Sequence, residues 1–224
     1  MFVFDAYGTL LDVDSAARQA ATEQGMEALK ENWRPIAKGW RERQLRYSWL
    51  CSMMGKYEDF WELTTRALDA TLEEHALASD YNIRNRLLSL YSELSAYDEV
   101  PEVLANLKTD GHRLAVLSNA SSSMLEKALG SAGISEWFDE LLSVDVLKCY
   151  KPTPAVYQLV TERFDCAPRD VTFFSSNNWD VSGAGAFGFK TIWVNRAGAA
   201  WDKLPGSPDR IVTSIAEGTK SAAH

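Results

Sequence analysis

The sequence predicts an α/β fold: a doubly wound, mainly parallel sheet, Rossmann-like in its core, with an inserted helical cap. Three observations point to it. From Val100 onward strand-like and helix-like runs alternate, which is the pattern of parallel strands joined by crossover helices. Between the first strand and this alternation, residues 15 to about 97 carry several helical periodicities and no strand. Finally, three strand-like runs end in polar residues, at Asp5/Thr9, Ser118/Asn119 and Ser175/Asn177/Asp180. A parallel sheet brings such ends to one edge, where ligand crevices open. Residues 1–14 and 98–224 are therefore read as the core and 15–97 as the cap.

The first strand, Phe2-Val3-Phe4, is rich in β-formers and stops at the carboxylate of Asp5, after which Gly8 permits a tight turn. Asp14 or Ser15 can cap a helix running through Ala28. Trp33-Arg34-Pro35 interrupts it, with Pro35 suited to a first helical turn. From Lys38 to Met54 two helical faces can be counted, one with Trp40, Gln44, Tyr47 and Cys51, the other with Arg41, Leu45, Ser48 and Trp49; Gly55 closes this helix. Further helices are expected from about Tyr57 to His75 and from Asn82 to Leu94.

In the second half, Pro101 opens a helix to Thr109. Arg113–Leu117 is a buried strand stopping at Ser118-Asn119, and Ser121–Ala132 is helical. Leu141–Val144 is a short strand, and Lys151-Pro152-Thr153-Pro154 starts a helix to Phe164. Val171–Phe174 is the next strand. The helix after it holds Gly183, Gly185 and Gly188, which suggests close backbone packing. Thr191–Val194 and an edge strand, Arg210–Thr213, complete the sheet, and the tail from Lys220 to His224 is expected to fray.

Composition narrows the function. A net charge of -8 argues against nucleic acid and anionic membrane surfaces as partners, while leaving room for a small anionic substrate met by a few local cations. Cys51, Cys149 and Cys166 are odd in number and scattered, and read as free thiols of a reducing compartment. No signal-peptide pattern or bilayer-length apolar run is present, so a soluble, cytoplasmic protein is expected. Any one polar strand end could be a simple cap. Three in succession, with Lys151 between the second and third, argue for one crevice.

The motifs Phe4-Asp5-Ala6-Tyr7-Gly8-Thr9-Leu10, Trp40-Arg41 with Gln44-Leu45 and Tyr47, Leu117-Ser118-Asn119, Tyr150-Lys151-Pro152 and Ser175-Ser176-Asn177-Asn178-Trp179-Asp180 occur in an order that resembles the haloacid dehalogenase superfamily. More narrowly, they are similar to the L-2-haloacid dehalogenases. The resemblance covers nearly the whole chain. It implies a metal-independent hydrolase, without cofactor and commonly dimeric, that converts (S)-2-haloalkanoates to (R)-2-hydroxyalkanoates plus halide.

What the chain lacks agrees with this. Phosphatases of the superfamily carry a general acid two residues after the nucleophile, where this sequence has Tyr7, and an acidic pair for magnesium, where it has Ser175, Ser176 and Asn177. Displacement of halide needs neither. Asp5 would attack C2 and form an ester that water then hydrolyses. Lys151 would keep Asp5 ionised, and Asp180, alone or with Lys151, would activate water. Thr9, Ser175 and Asn177 would hold the carboxylate and later the oxyanion, and Ser118 with its neighbouring amides would receive the substrate carboxylate. Arg41 is assigned to the departing halide, ahead of Arg34 and Arg43, because it sits in the matching pattern; Glu42 beside it is an unfavourable neighbour for an anion. Tyr7, Leu45, Phe60, Asn119 and Trp179 are expected pocket walls, Leu45 and Phe60 being equally readable as cap core. Tyr157 is carried over as a support near Lys151. His75, His112 and His224 match no motif. A magnesium-dependent phosphatase and a catalytically idle binding relative are the rival readings.

Overall fold

The computed structural model describes residues 1–220; the expectation for the tail beyond Lys220 lies outside the described residues. Strands β1 (Phe2–Phe4), β2 (Leu114–Ser118), β3 (Glu140–Ser143), β4 (Thr172–Ser175), β5 (Lys190–Val194) and β6 (Arg210–Val212) form one wholly parallel sheet. Its order is β3-β2-β1-β4-β5-β6. The central strands read as continuous apolar runs because both faces are covered, and β1 and β2 are buried throughout. After β3 the chain returns across β2 and β1 to lay down β4. The switch of direction therefore falls between β1 and β4, and the crevice of such a sheet opens beyond the carboxyl ends of those two strands.

Among the described residues six α-helices stand between β1 and β2, the first five of them within residues 15–97: α1 (Ser15–Ala20), α2 (Glu27–Lys30), α3 (Trp33–Met53), α4 (Phe60–Glu74) and α5 (Tyr81–Tyr91). Five more follow: α6 (Val100–Thr109), α7 (Ser122–Ser131), α8 (Pro154–Phe164), α9 (Asn178–Phe187) and α10 (Ile215–Thr219). Helices α8 and α9 pack together, as do α6 and α10. The chain leaves and re-enters the core side by side. Leu11 pairs with Ala96 in an isolated antiparallel bridge, the Asp12 amide donates to the Ser95 carbonyl at 2.9 Å, and the Tyr97 amide donates to the Leu10 carbonyl at 3.0 Å.

Several boundaries differ from expectation, each for a local reason. The helix expected through Ala28 breaks into α1 and α2, since Gly25 adopts a φ of +82° between them. Asp14 stands at the N-cap of α1 but makes no capping bond; its own amide donates to Asp12 Oδ1, while the Ser15 hydroxyl donates to the Asp12 carbonyl. Helix α3 begins at Trp33, ahead of the expected Lys38, and Pro35 lies in its first turn as expected, where amides have no intrahelical partner to lose. Helix α4 begins at Phe60, capped by Asp59 accepting from the Trp61 amide at 2.7 Å. Lys151 does not open a helix; α8 starts at Pro154, and Lys151 sits in the loop before it. Helix α10 was not expected at all, being only five residues long.

Candidate active site

Asp5 leaves the end of β1 with its amide bonded to the Phe174 carbonyl of β4, so its carboxylate stands at the switch point. Gly8, at φ +89°, turns the chain so that Thr9 faces back toward it. The two oxygens of Asp5 have different surroundings. Oδ2 accepts from Thr9 Oγ1 at 3.0 Å, Asn177 Nδ2 at 2.9 Å and, at the limit of bonding, Ser175 Oγ at 3.5 Å. Among the described residues Oδ1 meets only Lys151 Nζ, at 3.3 Å. One oxygen is thus held in a ring of donors and the other keeps lone pairs free. Thr9 Oγ1 in turn accepts from the Ser176 amide at 2.8 Å, which fixes the direction of its proton.

Lys151 is 1% exposed, and its ammonium lies between two carboxylates, 3.3 Å from Asp5 Oδ1 and 2.9 Å from Asp180 Oδ2. Its Nζ also stands 5.1 Å from the centroid of the Phe173 ring. The Lys151 amide donates to Asn119 Oδ1 at 2.8 Å, which anchors the loop to the end of β2. Tyr157, on α8, reaches across to donate to Asp180 Oδ1 at 2.8 Å. That reach requires Gly183: a Cβ there would lie 2.5 Å from the Tyr157 hydroxyl oxygen and 2.6 Å from Pro152 Cβ. Asp180 is fully buried, and burial, with repulsion from Asp5, pushes its carboxyl up to about 6 against the lowering influence of Lys151 and Tyr157. Burial first, then the Asp180 charge, pushes the Tyr157 phenol far above its ordinary range, so it stays a donor.

Over this centre lies a tight chamber of about 10 Å³, bordered by Asp5, Tyr7, Arg41, Leu45, Phe60, Ser118, Asn119, Ala120 and Trp179. Volume of that order holds roughly one water. All five expected wall residues line this chamber, as do Arg41 and Ser118. Leu45 and Phe60, readable as plain cap core, face it.

Arg41 points in from α3. Its Nη2 donates to the Tyr7 carbonyl at 3.0 Å and its Nη1 to Gln44 Oε1 at 3.2 Å, both neutral oxygens, so its charge stays available to an anion. Gln44 is locked in turn by Thr64 Oγ1 at 2.6 Å and the Tyr91 hydroxyl at 2.9 Å. Glu42 turns outward beside Lys38 and does not oppose an anion at Arg41. The competitors are placed elsewhere: Arg43 pairs with Glu74, and Arg34 lies over Trp33.

Ser118 ends β2 with its hydroxyl accepting from the Ala120 amide at 3.1 Å. Of the buried polar atoms without a partner among the described residues, two, Asn119 Nδ2 and the Tyr7 hydroxyl, belong to residues that border the chamber. Buried donors of this kind are costly unless a ligand completes them. Sequence reasoning missed Ser176, Ala120, Tyr91 and the contact of α3 with Tyr150, whose amide donates to Ser52 Oγ at 2.9 Å. Ser176 stood inside a quoted motif and could have been found there; backbone-mediated contacts such as that of Tyr150 leave no mark on residue type.

The centre does not suit a divalent cation. Its only carboxylates are already joined by an ammonium, the remaining ligand positions are hydroxyls and an amide, and no group of three His, Cys, Asp or Glu side chains among the described residues could hold a metal ion.

Comparison with known proteins agrees with this geometry. The family model of haloacid dehalogenase-like hydrolases matches residues 1–188. The chain is 48% identical to (S)-2-haloacid dehalogenase 1 of Pseudomonas sp. (strain CBS-3), over 87% of this chain and 83% of that one. A crystal structure of a dehalogenase with an intermediate complex superposes with a TM-score of 0.91 at 42% identity, covering 96% of this chain and 93% of the other. The L-2-haloacid dehalogenase of Xanthobacter autotrophicus with chloropropionic acid covalently bound gives a TM-score of 0.83 at 33% identity, covering 96% and 95%. The chain belongs to the haloacid dehalogenase-like hydrolases and, within them, to the L-2-haloacid dehalogenase family.

Proposed function

We propose that this hydrolase converts (S)-2-haloalkanoates to (R)-2-hydroxyalkanoates and halide, without a metal, through an ester on Asp5. The observation that carries the reading is the division of labour between the two Asp5 oxygens. Oδ1, with one contact, attacks C2 in line with the carbon–halogen bond; the C–O bond forms as the C–halogen bond breaks, and the halide leaves with the bonding electrons. Arg41, Asn119 and Trp179, which line the chamber, would receive it. Ser118 and the amides following it take the substrate carboxylate.

In the resulting ester Oδ2 is the carbonyl oxygen, and it already has Thr9, Asn177 and Ser175 around it. These donors would stabilise the oxyanion when water adds to Cγ of Asp5. Asp180, bonded to Lys151 and Tyr157, takes the proton from that water. Collapse of the intermediate breaks the Cγ–Oδ1 bond, and Asp180 returns its proton to the departing Oδ1, which leaves as the product hydroxyl. The new Asp5 carboxyl, now carrying the water oxygen, releases its proton to solvent. Because water never touches C2, the configuration set by the first step is inverted. The 15–97 block acts as the cap, delivering Arg41, Leu45 and Phe60 from above.

Halide release from each enantiomer of 2-chloropropionate tests the reading. Release from the (S) form alone, undiminished by EDTA, is expected. Phosphoester hydrolysis abolished by EDTA would replace it with the phosphatase reading. A second expectation concerns pH. Asp180 must be ionised to accept a proton, and its carboxyl is pushed up to about 6, so kcat should fall tenfold per pH unit below about pH 6. A kcat that stays level down to pH 4.5 would remove Asp180 from the role of base.

A further inference from the structure

We propose that the cleft between α3 and α9 is an alkyl-chain subsite, which accepts the tail of 2-haloalkanoates longer than propionate; this rests on the dehalogenase reading above. The cleft is a groove of about 770 Å³, and it meets the reaction chamber at Trp179, which borders both. The same two helix faces make chamber and groove. On α3, Arg41 and Leu45 line the chamber, and Trp49 and Met53, four and eight residues beyond Leu45, line the groove. On α9, Trp179 is followed along one face by Gly183 and Ala186, which also line it. The partition between the two spaces is an aromatic pair, Trp49 and Trp179, edge to face with centroids 5.4 Å apart.

The direction of the tail follows from chemistry. The chamber is too tight to take added methylenes, so a longer chain has to leave through one of its walls. Beyond Tyr7 lies a second cleft of about 400 Å³, but there Trp61, Tyr91 and Met124 are mixed with Asp59, Ser121, Ser123 and Lys127, a surface less favourable to hydrocarbon. Beyond Trp179 the walls are chiefly Trp49, Met53, Pro152, Phe187 and Leu204. With the carboxylate end at Ser118, the tail meets a groove whose polar members are Ser52, Lys151, Thr153 and Ser182 and whose remaining lining is largely apolar. Each methylene moved from water onto such a surface strengthens binding by about fourfold.

The test compares kcat/KM for (S)-2-chloropropionate and (S)-2-chlorooctanoate in the full-length chain and in Ala186→Trp and Ala186→Leu. Ala186 is exposed, lines the groove and stands two turns along α9 from Trp179, away from the reacting atoms. Both substrates should turn over in the parent. Ala186→Trp should lower kcat/KM for the octanoate by about tenfold or more, chiefly through KM, with Ala186→Leu intermediate. Both variants should keep the propionate within about twofold, the usual range for an exposed substitution, which also shows that they fold. An octanoate-to-propionate ratio unchanged in both variants would overturn the subsite. So would a parent that accepts propionate and rejects octanoate, or an unchanged ratio with a shifted elution volume, which would assign the groove to a second copy of the chain. A parent inactive on both substrates would instead sink the dehalogenase reading, and the subsite with it.

Discussion

Asp5→Asn is expected to lower kcat by about 10,000-fold or more, the scale seen when a covalent nucleophile is removed. The amide would orient in one way. Three donors surround the Oδ2 position, so the Asn oxygen belongs there, and the NH₂ group is left at the Oδ1 position against the Lys151 ammonium. The atom that faces C2 then carries no lone pair to donate. Folding should survive. Removing the Asp5 charge relieves its repulsion on Asp180 and leaves Lys151 paired with Asp180 alone, so Tm should be equal to or above the parent's. Slow return of activity, with a gain of about one mass unit on the Asp5 peptide, would report deamidation back to the carboxylate. In the parent, rapid quenching during turnover should yield the Asp5 peptide enlarged by the acyl residue of the substrate. An unmodified peptide together with full turnover in the variant would remove Asp5 from the chemistry.

Much of this site was legible because the sheet is parallel. Once strands alternate with helices, residues that end strands must share an edge, and Asp5, Ser118 and Ser175 do so at β1, β2 and β4. Arg41 was legible through the pattern Trp40-Arg41 with Gln44-Leu45 that the family resemblance supplied, and helical spacing agrees, since Leu45 one turn on borders the same chamber. What escaped depends on backbone atoms or on distant pairs. The Lys151 amide on Asn119 Oδ1, and the Tyr157 hydroxyl passing over Gly183, follow from how loops and helices meet, and residue type does not record it. The position of Lys151 outside α8 did leave a signal. Pro152 and Pro154 each push the preceding residue out of the helical region, so a helix could begin no earlier than Pro154. Gly25 likewise marked the break between α1 and α2.

Lys151→Met is expected to be damaging in a second way, through stability as well as rate. The ammonium is the common partner of two buried carboxylates, and breaking a buried pair by removing one member typically costs about 3–5 kcal/mol. Methionine would fill much of the volume beside Phe173, so the loss would be one of charge more than of packing. With no cation between them, Asp5 and Asp180 cannot both stay ionised at close range, and one takes up a proton. That gives the variant a pH signature. A carboxyl whose folded pKa lies above its unfolded value costs no stability while protonated in both states, and it costs more as pH rises from the unfolded pKa to the folded one. Relative to the parent, the variant should therefore melt closest to normal near pH 4 and lose the most Tm by pH 8. Turnover should fall by about 1,000-fold at neutral pH, since the transition state loses the cation that stands beside the nucleophile. Adding Asp180→Asn should recover part of the lost Tm by removing one of the two repelling charges, yet it should recover no activity, because the base goes with it. A double variant no more stable than Lys151→Met, or a Tm deficit that is the same at every pH, would mean that Lys151 acts by packing and that the charge balance described for this centre is wrong.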